Sequence, residues 1–230
     1  MSIPPGHLSY QTGGHSEYCL RIGTADVART ILIVPPLFDE MNRTRKLLVD
    51  AMRALASGGI CTVLPDLPGC NESLADLSAQ SLDSWRQAVC DCTRQLSATH
   101  IASVRGGCLI DDGVNVPLWR LAPVKGASLL KRMLRTRIAA DRENGVSTTA
   151  EQVIEDAKSG PIALSGNLLG QHMLATLESA EPVARANIHE VALSDISGTP
   201  LWLRAEPGDD HAMAAAMAAD LDRWSASCGG

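Results

Sequence analysis

The stretch His-Ile-Ala-Ser-Val-Arg-Gly-Gly, residues 100–107, decides the fold. Its first five residues form a short, mostly apolar run that is typical of a buried parallel strand. When such a strand ends in a sharp turn into a helix, the backbone is strained and the residues around the central position must be small. Ser103, Gly106 and Gly107 meet that requirement, so we predict an elbow of this kind centred on Arg105.

Arg105 stands where this type of turn normally presents a nucleophile. A guanidinium with a pKa above about 12 cannot attack a carbonyl or act as a general base, but it binds anions well. Three acidic residues at neighbouring strand ends, Asp39, Glu40 and Asp66, are its natural ion-pair partners. An alternative nucleophile is Cys108, because a thiol near a helix N-terminus has a lowered pKa.

Strand and helix patterns alternate along the chain, which predicts an α/β fold with a mostly parallel sheet covered by helices on both faces. Strands are expected at residues 30–36, 60–64, 100–104, 118–123, 187–193 and 200–205, and helices at 43–57, 81–96, 129–141 and 212–225. Residues 144–181 interrupt the alternation and are predicted to form a small lid-like insertion. We predict one domain spanning residues 1–230.

The composition excludes several classes of protein. With 45% hydrophobic and 20% charged residues among 230, the chain can build a packed core. A net charge of -6 and 3% aromatic residues argue against a nucleic-acid partner, since that needs a basic surface and stacking platforms. No apolar run is long enough to span a bilayer, and residues 1–10 lack a targeting pattern. A cytoplasmic location is therefore expected, and the oligomeric state is left open.

Cofactor and metal motifs are not expected from the sequence. The glycines after Arg105 lack the spacing of a dinucleotide fingerprint or a phosphate loop. The seven cysteines are scattered and odd in number, which favours free thiols in a reducing compartment. Cys90 and Cys92 lie two positions apart in a predicted helix and point to different sides, so they are poor joint metal ligands. We predict no cofactor and no metal site.

Further candidate residues follow the other strands, because ligands of open α/β sheets bind beyond the carboxyl ends of the strands. Residues 37–43 form the loop that would supply an oxyanion-binding N–H, and we assign Leu37, Glu40, Asn42 and Gly106 to substrate binding. His211, which follows Pro207-Gly208, is the candidate general base.

Each of the remaining candidates also has a structural interpretation. His211 could be a surface residue at the start of the last helix, and Asp195, the candidate catalytic acid, could close an ordinary turn. Four basic residues, Lys131, Arg132, Arg135 and Arg137, either bind an anion or form a solvated helix face; the second is favoured.

At these motifs the chain resembles the exosortase A system-associated hydrolases of the second type, a bacterial group of the α/β-hydrolase superfamily related to serine aminopeptidases. The similar stretches are residues 35–45, 66–73, 118–137 and 165–169 and the elbow, which in that group typically reads Gly-Leu-Arg-Leu-Gly. The resemblance covers about residues 30–208. It implies an α/β-hydrolase fold, an arginine at the elbow, and a role linked to exopolysaccharide and exosortase systems.

Two functions remain open from the sequence. In the first, the protein hydrolyses an ester or thioester without a serine nucleophile: His211 activates water and Arg105 holds an anionic group of the substrate. In the second, the protein is a catalytically inactive hydrolase-fold binding protein, a pseudoenzyme, that recognises an anionic ligand or partner through Arg105. Either way the expected ligand is a small anionic or acyl molecule.

Overall fold

The computed structural model describes residues 6–25, 27–196 and 198–228. Residues 1–5, part of the segment considered for a targeting pattern, lie outside these ranges. The strands are β1 (Gly6–Thr12), β2 (His15–Ile22), β3 (Thr30–Val34), β4 (Cys61–Pro65), β5 (His100–Val104), β6 (Leu118–Leu121), β7 (Ile162–Leu164), β8 (Asn167–Leu169) and β9 (Ile188–Val191). The α-helices are α1 (Asp39–Ser57), α2 (Leu82–Gln95), α3 (Gly126–Glu143), α4 (Ala150–Asp156), α5 (Gln171–Ser179) and α6 (His211–Ser227).

The central sheet has seven strands in the order β1-β2-β4-β3-β5-β6-β9. From β4 to β9 neighbouring strands are parallel, and only β1 and β2 run against their neighbours. One face packs against α2, α3 and α5, and the other packs against α1 and α6. This arrangement confirms the predicted α/β-hydrolase fold: a mostly parallel sheet, helices on both faces, and the elbow at the carboxyl end of the interior strand β5.

Local sequence signals explain several of these boundaries. Ser81 caps α2, as predicted: its Oγ accepts a hydrogen bond of 3.0 Å from the N–H of Ser84. Gly58 ends α1, and Gly59 adopts a φ of 78° that a residue without a side chain adopts freely. The β1–β2 hairpin was not predicted, although the Gly13-Gly14 pair between two alternating runs is a hairpin signal.

Two predicted boundaries are wrong. Residues 200–205 do not form a strand; Leu201–Leu203 is a single 3₁₀ turn, and β9 is the last strand of the sheet. The apolar run there buries Leu201 and Trp202 against the α1–α6 side of the core instead of adding backbone hydrogen bonds to the sheet. Helix α1 begins at Asp39 and not at Arg43, so most of the predicted oxyanion loop is its first turn.

Residues 144–181 contain α4, the β7–β8 hairpin and α5. Their apolar side chains join the same core cluster as residues under the elbow, with Leu164, Leu169 and Leu177 packed together with Leu37 and Leu129. The segment therefore packs into the core on the side of the sheet that carries α2 and α3.

Candidate functional site

The elbow has the geometry that its small residues require. Arg105 adopts a φ of 55°, a left-handed conformation that is uncommon for a residue with a side chain. A Cβ on Gly107 would lie 2.6 Å from the carbonyl oxygen of Pro35, so only glycine allows this approach of the two chain segments. A Cβ on Gly106 would lie 2.9 Å from Leu129 Cδ1 and 3.0 Å from Leu37 Cγ. Leu37 and Leu129 thus occupy the space beside the elbow.

The Arg105 side chain is held on several sides. Its Nη2 and Nε donate to the two carboxylate oxygens of Glu40 at 3.1 and 3.3 Å, and its Nη1 donates to the carbonyl of Ala122 at 3.2 Å. Its Cζ lies 4.7 Å from the ring centroid of Trp202, within the range of a cation–π contact. The Arg105 side chain is 14% exposed and that of Glu40 is 0% exposed. Arg105 therefore forms a closed, two-point ion pair.

Glu40 belongs to a larger group of charges, which we call the arginine cluster: Arg43, Arg105, Arg132, Asp39 and Glu40. Arg132 Nη1 donates to Glu40 Oε1 at 2.5 Å, and Arg43 Nη1 lies 2.8 Å from Asp39 Oδ2. Both acids lie in the first turn of α1, where the helix dipole favours negative charge. Three guanidinium groups face two carboxylates, which leaves one net positive charge.

The cluster assembles residues that are far apart in sequence. Arg105 comes from the elbow, Arg132 from α3, and Arg43 from α1. The prediction that the basic residues of α3 form a solvated face is wrong for Arg132, although Lys131 and Arg135 are exposed. Arg132 borders the buried residues Leu129 and Met133 of α3, and its own side chain is 25% exposed.

The structure brings together three of the four residues assigned to substrate binding. Leu37, Glu40 and Gly106 meet beside Arg105, whereas Asn42 lies on the exposed side of α1. Phe38, between the first two, has a φ of 58° and is buried, so the backbone of the predicted oxyanion loop is also strained.

His211 and Asp195 contact residues other than Arg105. The His211 side chain is 75% exposed, and its Nδ1 lies 3.4 Å from a carboxylate oxygen of Asp50. Asp50 follows Glu40 by ten positions on α1, a distance of about 15 Å along the helix axis. Asp195 is exposed, and its Oδ2 accepts a hydrogen bond of 2.8 Å from the backbone N–H of Ala192. Neither side chain is brought to Arg105.

Cys108 is not an activated thiol. Burial raises its pKa well above the usual value, because no solvent stabilises the thiolate, and nearby Asp111 raises it further. The prediction of a lowered pKa from a helix N-terminus is therefore wrong. The segment after the elbow is a short 3₁₀ helix, Arg105–Leu109, and Cys108 points into the core.

A second buried ion pair lies behind the elbow and was not predicted. Arg120 of β6 donates through Nε and Nη2 to the two oxygens of Asp111 at 2.9 and 2.5 Å. Burial raises the pKa of Asp111, and the hydrogen bond from Arg120 opposes that shift. Both side chains are buried, so we interpret the pair as part of the core.

The described residues contain no group of three or more His, Cys, Asp or Glu side chains that could hold a metal ion. Within residues 6–25, 27–196 and 198–228, none of the helices combines the length and apolar character needed to cross a bilayer.

The chain is similar in structure to several hydrolases. A presumed hydrolase from Agrobacterium vitis S4 is 16% identical with a TM-score of 0.47, over 84% of this chain and 90% of that chain. A serine hydrolase without a lid from Xanthomonas campestris is 21% identical with a TM-score of 0.41, over 52% of this chain and 61% of that chain. An epoxide hydrolase from Vigna radiata is 14% identical with a TM-score of 0.42, over 53% of this chain and 40% of that chain.

The chain spans 43% and 40% of the length of two epoxide hydrolases that it matches. No protein-family model matches the sequence, and no protein of curated function is similar to it. At such identities a likeness concerns the fold alone, because unrelated functions share this fold.

Proposed function

We propose that this chain is a catalytically inactive hydrolase-fold protein that binds an anionic ligand at the arginine cluster. The observation that carries the proposal is the closed pair of Arg105 and Glu40 at the elbow. An acyl-enzyme needs a nucleophile at that position and space beside it for the acyl group. The position holds a guanidinium, and Leu37 and Leu129 fill the adjacent space.

The charge of the cluster supports the choice of an anionic ligand. One positive charge remains after Asp39 and Glu40 are paired, and the side chains of Arg43 and Arg132 are each 25% exposed. Guanidinium groups present several N–H donors in a fixed plane and suit carboxylates and phosphates. The cluster lies at the carboxyl ends of the parallel strands, the edge where open α/β sheets bind ligands.

The resemblance to the exosortase A system-associated hydrolases supports a place in an exopolysaccharide-linked system. The stretches that carry this resemblance include all five residues of the arginine cluster: Asp39, Glu40, Arg43, Arg105 and Arg132. The arginine at the elbow is then a shared feature of the group that holds Glu40 in the cluster, and not a damaged catalytic site.

The competing proposal is hydrolysis of an ester or thioester by activated water. General-base catalysis requires the base within hydrogen-bond reach of the water that attacks the substrate. With His211 beside Asp50, about 15 Å along α1 from Glu40, Arg105 and His211 cannot both contact one small substrate.

Two measurements test the proposal. Wild type, Arg105→Ser and His211→Ala are assayed with p-nitrophenyl acetate and an acetyl thioester, and no turnover above background is expected from any of them. Turnover by the wild type that His211→Ala abolishes would establish the hydrolase instead.

Binding is measured by calorimetry with acetate and phosphate at constant ionic strength. Arg132→Gln is expected to weaken binding at least tenfold, because it removes a charged donor. Arg135→Gln, which changes an exposed arginine of the same helix, should leave binding unchanged. Equal losses in the two variants would show that the anions respond only to overall charge.

A further inference from the structure

Two buried polar atoms of the arginine cluster lack hydrogen-bond partners. Across residues 6–25, 27–196 and 198–228, neither Arg132 Nε nor Asp39 Oδ1 has a hydrogen-bond partner. One other atom of each side chain is paired: Arg132 Nη1 with Glu40, and Asp39 Oδ2 with Arg43. The two groups adjoin each other, since Arg132 Nη2 lies 3.6 Å from Asp39 Oδ1, beyond hydrogen-bond distance.

An unpaired buried donor beside an unpaired buried acceptor defines what would complete the site. Leaving such groups unpaired is costly, and the cost is larger for charged ones. Arg132 Nε needs an acceptor, and Asp39 Oδ1 needs a donor. A simple carboxylate or sulfate offers acceptors only and leaves Asp39 Oδ1 without a donor. A hydroxyl group supplies a donor, and the remaining positive charge of the cluster calls for one negative charge on the same ligand.

We infer that the arginine cluster recognises a hydroxy acid: a ligand whose carboxylate binds the exposed parts of Arg43 and Arg132 and whose neighbouring hydroxyl donates to Asp39. This inference rests on the proposed anion-binding function. Small hydroxy carboxylates and sugar acids share this chemistry. The side chains of Arg132 and Asp39 are 25% and 13% exposed, respectively.

Asp39 is the specificity-determining residue in this arrangement, and Glu40 is not. Glu40 accepts from Arg105 Nη2, Arg105 Nε and Arg132 Nη1 and is fully buried, so it has no capacity for a ligand. A neutral sugar would satisfy Asp39 but not the net positive charge. An amine would satisfy Asp39 and add to the positive charge.

The test compares glycolate with acetate, which carry the same charge and differ by one hydroxyl. Binding to the full chain is measured by calorimetry or ligand-observed NMR. Glycolate is expected to bind about tenfold more tightly, the effect of one hydrogen bond to a charged acceptor. In Asp39→Asn, which keeps the shape and removes the charge, the preference should fall below about threefold while acetate still binds. Asp209→Asn, an exposed carboxylate outside the cluster, should retain the preference.

The outcomes separate the two proposals. Equal affinities for glycolate and acetate in the wild type would overturn the hydroxy-acid inference and leave anion binding intact. A glycolate preference that persists in Asp39→Asn would remove Asp39 from the site. If neither ligand binds, the proposed function fails as well. Lactate and propionate repeat the comparison with a larger ligand and need no variant, so the result does not depend on the folding of Asp39→Asn.

Discussion

Replacing Glu40 by glutamine should destabilise the protein strongly, because it removes the charge that two arginines share. The Glu40 carboxylate is 0% exposed and accepts three N–H groups, at 2.5, 3.1 and 3.3 Å. Glutamine keeps one acceptor oxygen but turns an NH₂ group, a donor, toward the guanidinium groups of Arg105 and Arg132. Removing one partner of a buried pair costs about 3–5 kcal/mol.

The lower end of that range applies here. Arg132 is 25% exposed and can reach water, whereas Arg105 is 14% exposed and keeps an uncompensated charge in the core. We expect a loss of about 3 kcal/mol, which for a chain of this size lowers the melting temperature by roughly 6–12 °C. Urea unfolding followed by circular dichroism measures the free energy, and thermal unfolding measures the melting temperature.

A matched control and a double variant make the experiment decisive. Glu181→Gln breaks the exposed pair with Lys125 and should cost less than about 1 kcal/mol. The double variant Glu40→Gln/Arg105→Met also removes the arginine charge that Glu40→Gln leaves unpaired. Its loss of unfolding free energy should be at least about 1 kcal/mol smaller than the sum of the two single-variant losses. A Glu40→Gln loss no larger than that of Glu181→Gln, with no coupling to Arg105, would refute the buried pair.

Three further predictions concern β5 and the residues that follow it. Gly107→Ala should cost more than about 2 kcal/mol, since its Cβ would lie 2.6 Å from the Pro35 carbonyl oxygen; a neutral effect in urea unfolding would contradict the close approach. Asp111→Ala should lower the free energy of unfolding by about 3–5 kcal/mol, because it leaves the buried Arg120 without its counter-charge. The double variant with Arg120→Met should be more stable than Asp111→Ala alone. Burial, and then Arg29, lower the pKa of His100, so the unfolded chain binds this proton more readily. The stability that depends on a neutral His100 side chain is fully present above a pH of about 6.5, and it is lost as the pH falls through the lowered pKa. His100→Gln should therefore lose less stability than wild type between pH 7 and pH 5, and equal losses would exclude His100 as the cause.

Much of the fold could be predicted from the sequence because its signals are local. The strand at residues 100–104 and the cap at Ser81 each depend on neighbouring residues. The strand predicted at residues 200–205 was wrong because the structure of this segment depends on distant parts of the chain. Its apolar residues are buried, as a strand's would be, but β9 already ends the sheet and the segment packs beside α1.

The sequence by itself determined the α/β fold and the position of the elbow at the end of β5. It also determined that the centre of the elbow is an arginine, which cannot act as a nucleophile. Only the tertiary structure decided what that arginine does. Its pairing with Glu40 crosses 65 positions of the chain, and the contact of Arg132 with the same carboxylate crosses 92. Such contacts depend on how α1 and α3 dock at the carboxyl ends of the strands, and local sequence periodicity carries no information about that docking.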